Sequence, residues 1–176
     1  MYLVSIYFDE KSNRKIQRYI DLVAEKTGNS FMVKECVPPH MTVSAFETRD
    51  ESEAVAAVER MANRLRQGDI TWASVGQFLP YVIYIQPVLN SYLHEISTIA
   101  YEELGKEYVN ISPFYQPFQW IPHATIGKTL TQEEMKKAFE ALQTHFGMFD
   151  GRVVRIGLAR TNPHRDIKTF ILNTED

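Results

Sequence analysis

The stretch VPPHMTVSAF at residues 37–46 has a counterpart, WIPHATIGKT, at residues 120–129. Each contains proline, then histidine, then a threonine two residues later, then an apolar residue. The apolar and β-branched residues after each histidine predict a strand. Side chains at positions i and i+2 of a strand point to the same face. We therefore expect His40 to project together with Thr42, and the second histidine together with the second threonine.

The segments that follow the two histidines are also alike. The histidines are 83 residues apart (123 − 40), and eight residues after each of them comes a Thr-x-x-Glu pattern, at Thr48 and at Thr131. This pattern is typical of the capping boxes that begin helices. In both cases the predicted helix is followed by two predicted strands. The repeated order predicts an internal duplication, with halves of about residues 1–80 and 81–176.

The two halves are predicted to form one domain over residues 1–176. A chain of this length is suited to a single well-buried core. No Gly/Ser-rich linker separates the halves, so we expect two lobes related by a pseudo-twofold axis. Such an axis would bring the two histidine strands side by side, with both imidazoles and both threonine hydroxyls facing one cleft.

Composition narrows the class of protein. The chain is 44% hydrophobic and 23% charged, as in ordinary globular proteins, and its net charge of −3 predicts no basic face for long duplex nucleic acid. A single cysteine, Cys36, excludes an intrachain disulfide and fits a reducing compartment. No apolar run approaches the roughly 20 residues needed to span a bilayer, and the first residues do not resemble a signal peptide. We expect a cytoplasmic protein without a membrane partner.

Paired histidines in one cleft can perform acid–base chemistry at phosphorus. Displacement there needs a base on the attacking oxygen and an acid on the leaving oxygen. One imidazole must be neutral and the other protonated, which histidine can achieve near pH 7. Threonine hydroxyls can donate to the non-bridging oxygens, where charge accumulates. This scheme requires neither a metal ion nor another cofactor, and the sequence shows no cysteine cluster and no complete zinc-binding helix motif.

The paired motifs PPHMTV (38–43) and WIPHATIGK (120–128) resemble the two His-x-Thr-hydrophobic motifs of the 2H phosphoesterase superfamily. This group includes 2′–5′ RNA ligase-like proteins and cyclic nucleotide phosphodiesterases. The resemblance covers essentially the whole chain. It implies a bilobal α+β fold in which two antiparallel sheets line a central cleft, with helices outside. It also implies metal-independent phosphodiester chemistry, often on 2′,3′-cyclic phosphates or 2′–5′ linkages.

The resemblance also implies roles for individual residues. The catalytic histidines correspond to His40 and His123, and the phosphate-binding threonines to Thr42 and Thr125. Lys128 stands where a basic residue often follows the second motif, so it is expected to help hold phosphate. The first motif has an alanine at that position. Which histidine is the base and which the acid does not follow from the sequence.

Aromatic residues crowd the loop before the second motif. Tyr115, Phe118 and Trp120 are candidates for stacking on a nucleobase, as aromatic residues do in single-strand recognition. They are equally suited to covering the core where the loop crosses it. The remaining histidines lack such partners: His94 and His145 are expected on helix surfaces. His164 is expected in an exposed turn.

The sequence therefore predicts a hydrolase for cyclic phosphates or 2′–5′ phosphodiesters at nucleotides or RNA ends. A ligase that runs the reverse reaction would use the same groups, so the direction stays open. The alternatives are a non-catalytic module that binds RNA ends or a phosphorylated metabolite, and a chain whose duplicated halves serve assembly alone. The sequence does not predict the oligomeric state.

Overall fold

The computed structural model describes residues 1–105, 111, 113–161 and 164–174. The strands, in chain order, are β1 (Tyr2–Phe8), β2 (Met41–Phe46), β3 (Gly68–Phe78), β4 (Val82–Pro87), β5 (Ala124–Gly127), β6 (Phe149–Arg160) and β7 (Arg165–Ile171). The helices are α1 (Glu10–Thr27), α2 (Phe31–Lys34), α3 (Glu51–Arg64), α4 (Ser91–Leu104) and α5 (Gln132–His145), with a 3₁₀ turn at Pro113–Tyr115. Residues 162 and 163 of the predicted β6–β7 turn lie outside the described residues. None of the described helices has both the length and the apolar composition needed to cross a membrane.

The described strands all pair antiparallel in one seven-stranded sheet, in the order β2-β1-β6-β3-β4-β5, with β7 also paired to β6. The α+β class is confirmed. The family resemblance implied two antiparallel sheets, whereas the described strands form one. The reason is that β3 and β6 are long and pair with each other from Gly68–Val153 to Trp72–Phe149. This pairing joins the strands of both halves into one hydrogen-bonded surface.

The strand order reads the same when β1 is exchanged with β4, β2 with β5, and β3 with β6. Strand β7 lies outside this relation. The helices follow the same exchange, because α1 packs on α5 and β5 while α4 packs on α3 and β2. Each half therefore supplies a helix that covers the histidine strand of the other half. This order is the one that a duplication would produce, and the pseudo-twofold duplication itself stays a prediction.

The helix caps differ from the predicted register in one half. Helix α5 begins at the predicted capping box, in which Thr131 accepts the Glu134 N–H and the Glu134 carboxylate accepts the Thr131 N–H. Helix α3 instead begins after Asp50, whose carboxylate accepts the Glu53 N–H at 3.0 Å. Asp50 accepts a hydrogen bond at an N-cap at least as well as threonine does. The two caps therefore do not lie at equal distances from the two histidines.

Strands β2 and β5 contact each other although they stand at opposite ends of the strand order. The sheet must therefore curve until these strands approach. A hydrogen bond reinforces the approach: the Trp120 indole N–H donates to the Thr42 carbonyl oxygen at 3.0 Å. The residues that alternate with the motif side chains are fully buried in the core: Met41, Val43, Ala124 and Ile126.

Candidate active site

One cavity, here called the cleft, receives side chains from both motifs. Its volume is about 320 Å³, and its lining includes His40, Thr42, His123, Thr125 and Lys128. A volume of this size falls at the lower end of the range for small-molecule sites, about 300–1,000 Å³. The structure thus brings together the five residues that the sequence predicted for catalysis and phosphate binding.

Both motif histidines are oriented by their own backbone. The Nδ1 atom of His40 lies 2.8 Å from the Pro38 carbonyl oxygen, and that of His123 lies 2.7 Å from the Ile121 carbonyl oxygen. A carbonyl oxygen only accepts hydrogen bonds, so Nδ1 carries the proton in each ring. In the neutral form, Nε2 is then the basic nitrogen of each imidazole. Both motifs therefore offer the same ring atom for proton transfer.

The backbone of the two motif strands shares an irregularity. The pairing of β2 with β1 and that of β5 with β4 each skip one residue, as in a β-bulge. The extra residue is Val43 in β2 and Ile126 in β5, and each directly follows the threonine of its motif. Bulges commonly re-aim side chains beside active sites. No pattern in the sequence indicated this shared feature.

Aromatic rings surround His123. The Phe78 ring meets the imidazole edge-on with centroids 4.8 Å apart, and the Tyr84 ring lies 5.2 Å away. Tyr84 occupies its position because residue 76 is glycine: a Cβ atom there would lie 2.6 Å from the tyrosine ring. These rings exclude water from one side of the imidazole. Burial lowers the pKa of His123, because desolvation disfavours the imidazolium, and the bond to the Ile121 carbonyl opposes this effect.

The surroundings of His40 are polar. The His164 ring is stacked on the His40 ring with centroids 5.9 Å apart. The Asp166 carboxylate lies 3.2 Å from the His164 Nε2 atom and accepts a hydrogen bond from the Tyr7 hydroxyl at 3.1 Å. Burial lowers the pKa of His40, and the nearby His164 and His123 lower it further. The hydrogen bond to the Pro38 carbonyl and the Asp166 charge act in the opposite direction.

His164 is the residue whose predicted position differs most from the observed one. The sequence predicted an exposed turn residue, whereas its side chain is 13% exposed and lines the cleft. Contacts of the Tyr7 side chain explain the difference: its ring lies beside Gly157 of β6, and its hydroxyl donates to the Asp166 carboxylate at the start of β7. No local pattern around His164 carries that long-range information.

The three candidates for base stacking are separated in the structure. Tyr115 lines the cleft. Trp120 is 7% exposed and its indole N–H is bonded to the backbone of β2, so it joins the two motif strands. Phe118 is 89% exposed and packs on His94, with centroids 4.4 Å apart, beside a different cavity. The cleft also contains Phe31 of α2, a helix too short to show a periodic pattern.

A wider concavity is lined by none of the motif histidines and threonines. It has a volume of about 800 Å³ and runs along α1, where Lys11, Arg14 and Arg18 line it. Arg14 is paired with Glu10. The chemistry of the side chains, and not the volume, therefore identifies the candidate active site. Within the described ranges, no three His, Cys, Asp or Glu side chains are placed to hold a metal ion.

The sequence model of the 2′-5′ RNA ligase superfamily matches residues 11–165, a range that includes both motifs. The chain belongs to this superfamily. The match confirms the resemblance to the 2H phosphoesterases that the paired motifs indicated. A search of curated protein sequences gave no match.

Solved structures support the same fold at low sequence identity. The protein TT0787 of Thermus thermophilus is 17% identical with a TM-score of 0.64, and the similarity covers 99% of each chain. Escherichia coli LigT complexed with 3′-AMP is 13% identical with a TM-score of 0.63 over 97% of each chain. A protein described as a phosphoesterase is 15% identical with a TM-score of 0.62 over 98% of each chain. LigT has also been solved with ATP, NADP+ and phosphate.

Proposed function

We propose that this protein is a metal-independent phosphoesterase acting on 2′,3′-cyclic phosphates or 2′–5′ phosphodiesters of nucleotides or RNA ends. The observation that carries this proposal is the matched placement of two histidines in one cleft. In each, Nδ1 is held by the carbonyl oxygen two residues earlier, so Nε2 is the nitrogen left for proton transfer. Membership of the 2′-5′ RNA ligase superfamily supports the same class of reaction.

Hydrolysis of a cyclic phosphate then proceeds by two proton transfers. The neutral histidine accepts a proton at Nε2 from the attacking water, while the water oxygen forms a bond to phosphorus. The protonated histidine donates its Nε2 proton to the ribose oxygen as the bond between that oxygen and phosphorus breaks. The reaction consumes one water and leaves a phosphomonoester and a free hydroxyl. The two histidines exchange protonation states and are restored through solvent.

The remaining cleft residues bind the phosphate in this proposal. The hydroxyls of Thr42 and Thr125 donate to the non-bridging oxygens, which carry the growing negative charge. Lys128 is exposed, lines the cleft and adds a positive charge to it. Its Nζ atom lies 6.0 Å from the centroid of the Phe31 ring.

The size and lining of the cleft favour one nucleotide or one chain end over a duplex. Its volume of about 320 Å³ matches a single small ligand. Tyr115, Phe31 and Phe78 line it and supply aromatic surface for a base. The LigT complex with 3′-AMP provides a nucleotide ligand on the same fold. We propose that Tyr115 is the stacking residue among the three that the sequence nominated.

The test is a turnover assay in EDTA on a panel of substrates. The panel contains the four nucleoside 2′,3′-cyclic monophosphates, a 2′–5′-linked dinucleotide and an RNA that ends in a cyclic phosphate. Wild type is compared with the His40→Ala/His123→Ala double variant and with His145→Ala as a matched control, since His145 lies in the last turn of α5. We expect turnover by wild type and by the control, and none by the double variant.

Two outcomes would contradict the proposal. If the folded wild-type protein binds members of the panel without turnover, the protein is a binding module. If activity disappears in EDTA and returns with a divalent ion, the metal-free scheme is wrong. A joining reaction between a 2′,3′-cyclic phosphate and a 5′-hydroxyl, measured on the same panel, determines the preferred direction.

A further inference from the structure

A third histidine stands in the cleft without a role in the two-histidine scheme. His164 lines the cleft beside His40, with an angle of 28° between the two stacked rings and 5.9 Å between their centroids. Its Nε2 atom lies 3.2 Å from an Asp166 carboxylate oxygen. That oxygen only accepts hydrogen bonds, so Nε2 of His164 carries a proton. The pair of residues is thus built as an imidazole oriented by a carboxylate.

The same carboxylate oxygen is held from a second side. The Tyr7 hydroxyl donates to it at 3.1 Å, and burial together with Asp166 raises the pKa of that hydroxyl, so Tyr7 stays protonated and donates. The Arg155 guanidinium lies 5.4 Å from the centre of the Tyr7 ring. Three strands, β1, β6 and β7, therefore fix the position of Asp166, and through it the position of His164.

Among the residues that the structure describes, the other motif histidine has no such arrangement around it. His123 packs against the rings of Phe78 and Tyr84, neither of which carries a charge at neutral pH. The titratable and charged groups around His40 come from several elements: Tyr7, Arg155, His164, Asp166, His123, Lys128 and Glu35. Of these, His164 is the one whose ring is stacked on the His40 ring.

We propose that His164, held by Asp166, is a positioning residue that keeps the adjacent His40 in its neutral form. The two motif histidines then differ in how readily each is protonated. A positive charge on the stacked His164 ring opposes a second positive charge on His40, and this effect exceeds the opposite effect of the Asp166 carboxylate. Loss of the His164 charge removes that opposition. The proposal deepens the proposed function, on which its kinetic part rests, because it assigns regulation of the same cleft.

The first test does not require turnover. The titration of each histidine is followed by NMR through its ring C–H resonances, assigned with single-histidine variants. In His164→Gln, which retains an N–H donor for Asp166 and has no charge, we expect the pKa of His40 to rise and that of His123 to stay in place. His145→Gln is the matched control and should change neither.

A charge-rescue variant separates the proposal from a structural role. His164→Lys restores a positive charge, so it should return the pKa of His40 toward the wild-type value. If His164→Gln leaves the pKa of His40 unshifted, or if His164→Lys shifts it as far as His164→Gln does, the proposal is overturned. A shift of both motif histidines by equal amounts also overturns it, because that result indicates a general change of the cleft.

The kinetic readout is the pH profile of kcat/KM. In His164→Gln, the limb of this profile that reports the pKa of His40 should move to higher pH. The other limb should stay at its wild-type pH. Failure of the two proposals is distinguishable. Absence of turnover in wild type with the expected NMR shift contradicts the phosphoesterase and leaves the role of His164 standing. Normal turnover with an unmoved pH profile and an unmoved His40 contradicts the role of His164 alone.

Discussion

The first and second motifs provide the same backbone geometry in different surroundings. In both, Nδ1 of the histidine is held by the carbonyl oxygen two residues earlier, and the pairing skips the residue after the threonine. Around His40 lie another histidine, a carboxylate and a tyrosine hydroxyl, whereas aromatic rings surround His123. The backbone geometry of the motif is thus the same in both halves. The environment that tunes it differs.

This difference matters for acid–base work. A two-histidine reaction needs one neutral and one protonated imidazole. If the two environments were identical, only the bound substrate could determine which imidazole is protonated. Unequal surroundings provide that asymmetry before the substrate binds. Helix packing across the halves, with α1 behind β5 and α4 behind β2, also means that neither environment belongs to one half alone.

The largest effect should come from the histidines themselves. Replacing either His40 or His123 with alanine removes a well-placed acid or base, and should lower turnover by about 10²–10⁴-fold. The measurement is kcat on the best substrate of the panel, with circular dichroism to establish that each variant folds. Full activity in one of the two single variants would show that the motifs do not act as a pair.

The threonines should have the next largest effect. Thr42→Val and Thr125→Val keep the shape and remove the hydroxyl, and the loss of one donor to a developing oxyanion should lower kcat by about 10²-fold. Thr42 is more deeply buried than Thr125. If both hydroxyls donate to the phosphate, kcat should fall in both variants in spite of this difference in burial. An unchanged kcat in both variants would argue for a purely structural role as strand residues.

The link between the two motif strands can be broken at Trp120. Trp120→Phe removes a buried donor to the Thr42 carbonyl oxygen, so the free energy of unfolding should fall by about 1–3 kcal/mol. Denaturant unfolding measures this change. Phe118→Ser is the matched control from the same loop, and because Phe118 is 89% exposed its effect should stay within about 0.5 kcal/mol. Equal losses in both variants would contradict the assignment.

Lys128 is a charge that only the second motif carries, because the first motif has Ala45 at the same position. Lys128→Gln removes an exposed charge, so we expect KM to rise several-fold and kcat to change little. A charge pair near a surface contributes on the order of 1 kcal/mol in water. The difference in KM between wild type and Lys128→Gln should shrink at high salt, since screening weakens exposed charges. Independence from salt would contradict an electrostatic role.

The smallest effect concerns stability against pH. Burial lowers the pKa of both motif histidines below the ordinary value of 6.5. Below that value the unfolded chain binds protons that the folded chain does not, so the free energy of unfolding falls as the pH falls through about 6.5. In His40→Asn/His123→Asn this slope should be shallower, measured as urea midpoints at several pH values. A slope equal to that of wild type would contradict neutral, buried histidines.

Local patterns were sufficient for most elements and for the motif residues. Alternation along each motif strand predicted that His40 projects with Thr42 and His123 with Thr125, and all four side chains line the cleft. The cap of α3 was misplaced because two acceptors, Thr48 and Asp50, stand within one turn of each other and the sequence does not rank them. The sequence did not reveal α2, because four residues are too few to show a helical period.

Patterns in the sequence predicted the two His-x-Thr strands and the α+β class, and their repetition 83 residues apart predicted that the strands form a pair. The side chains that join them in the cleft follow only from tertiary contacts. The pairing of β3 with β6, the position of His164 beside His40, and the separation of Tyr115 from Phe118 and Trp120 depend on contacts between residues far apart in the chain. The hydrophobic period of a helix or strand indicates which of its faces is buried. It does not indicate which residues pack against that face, because those contacts depend on the whole fold.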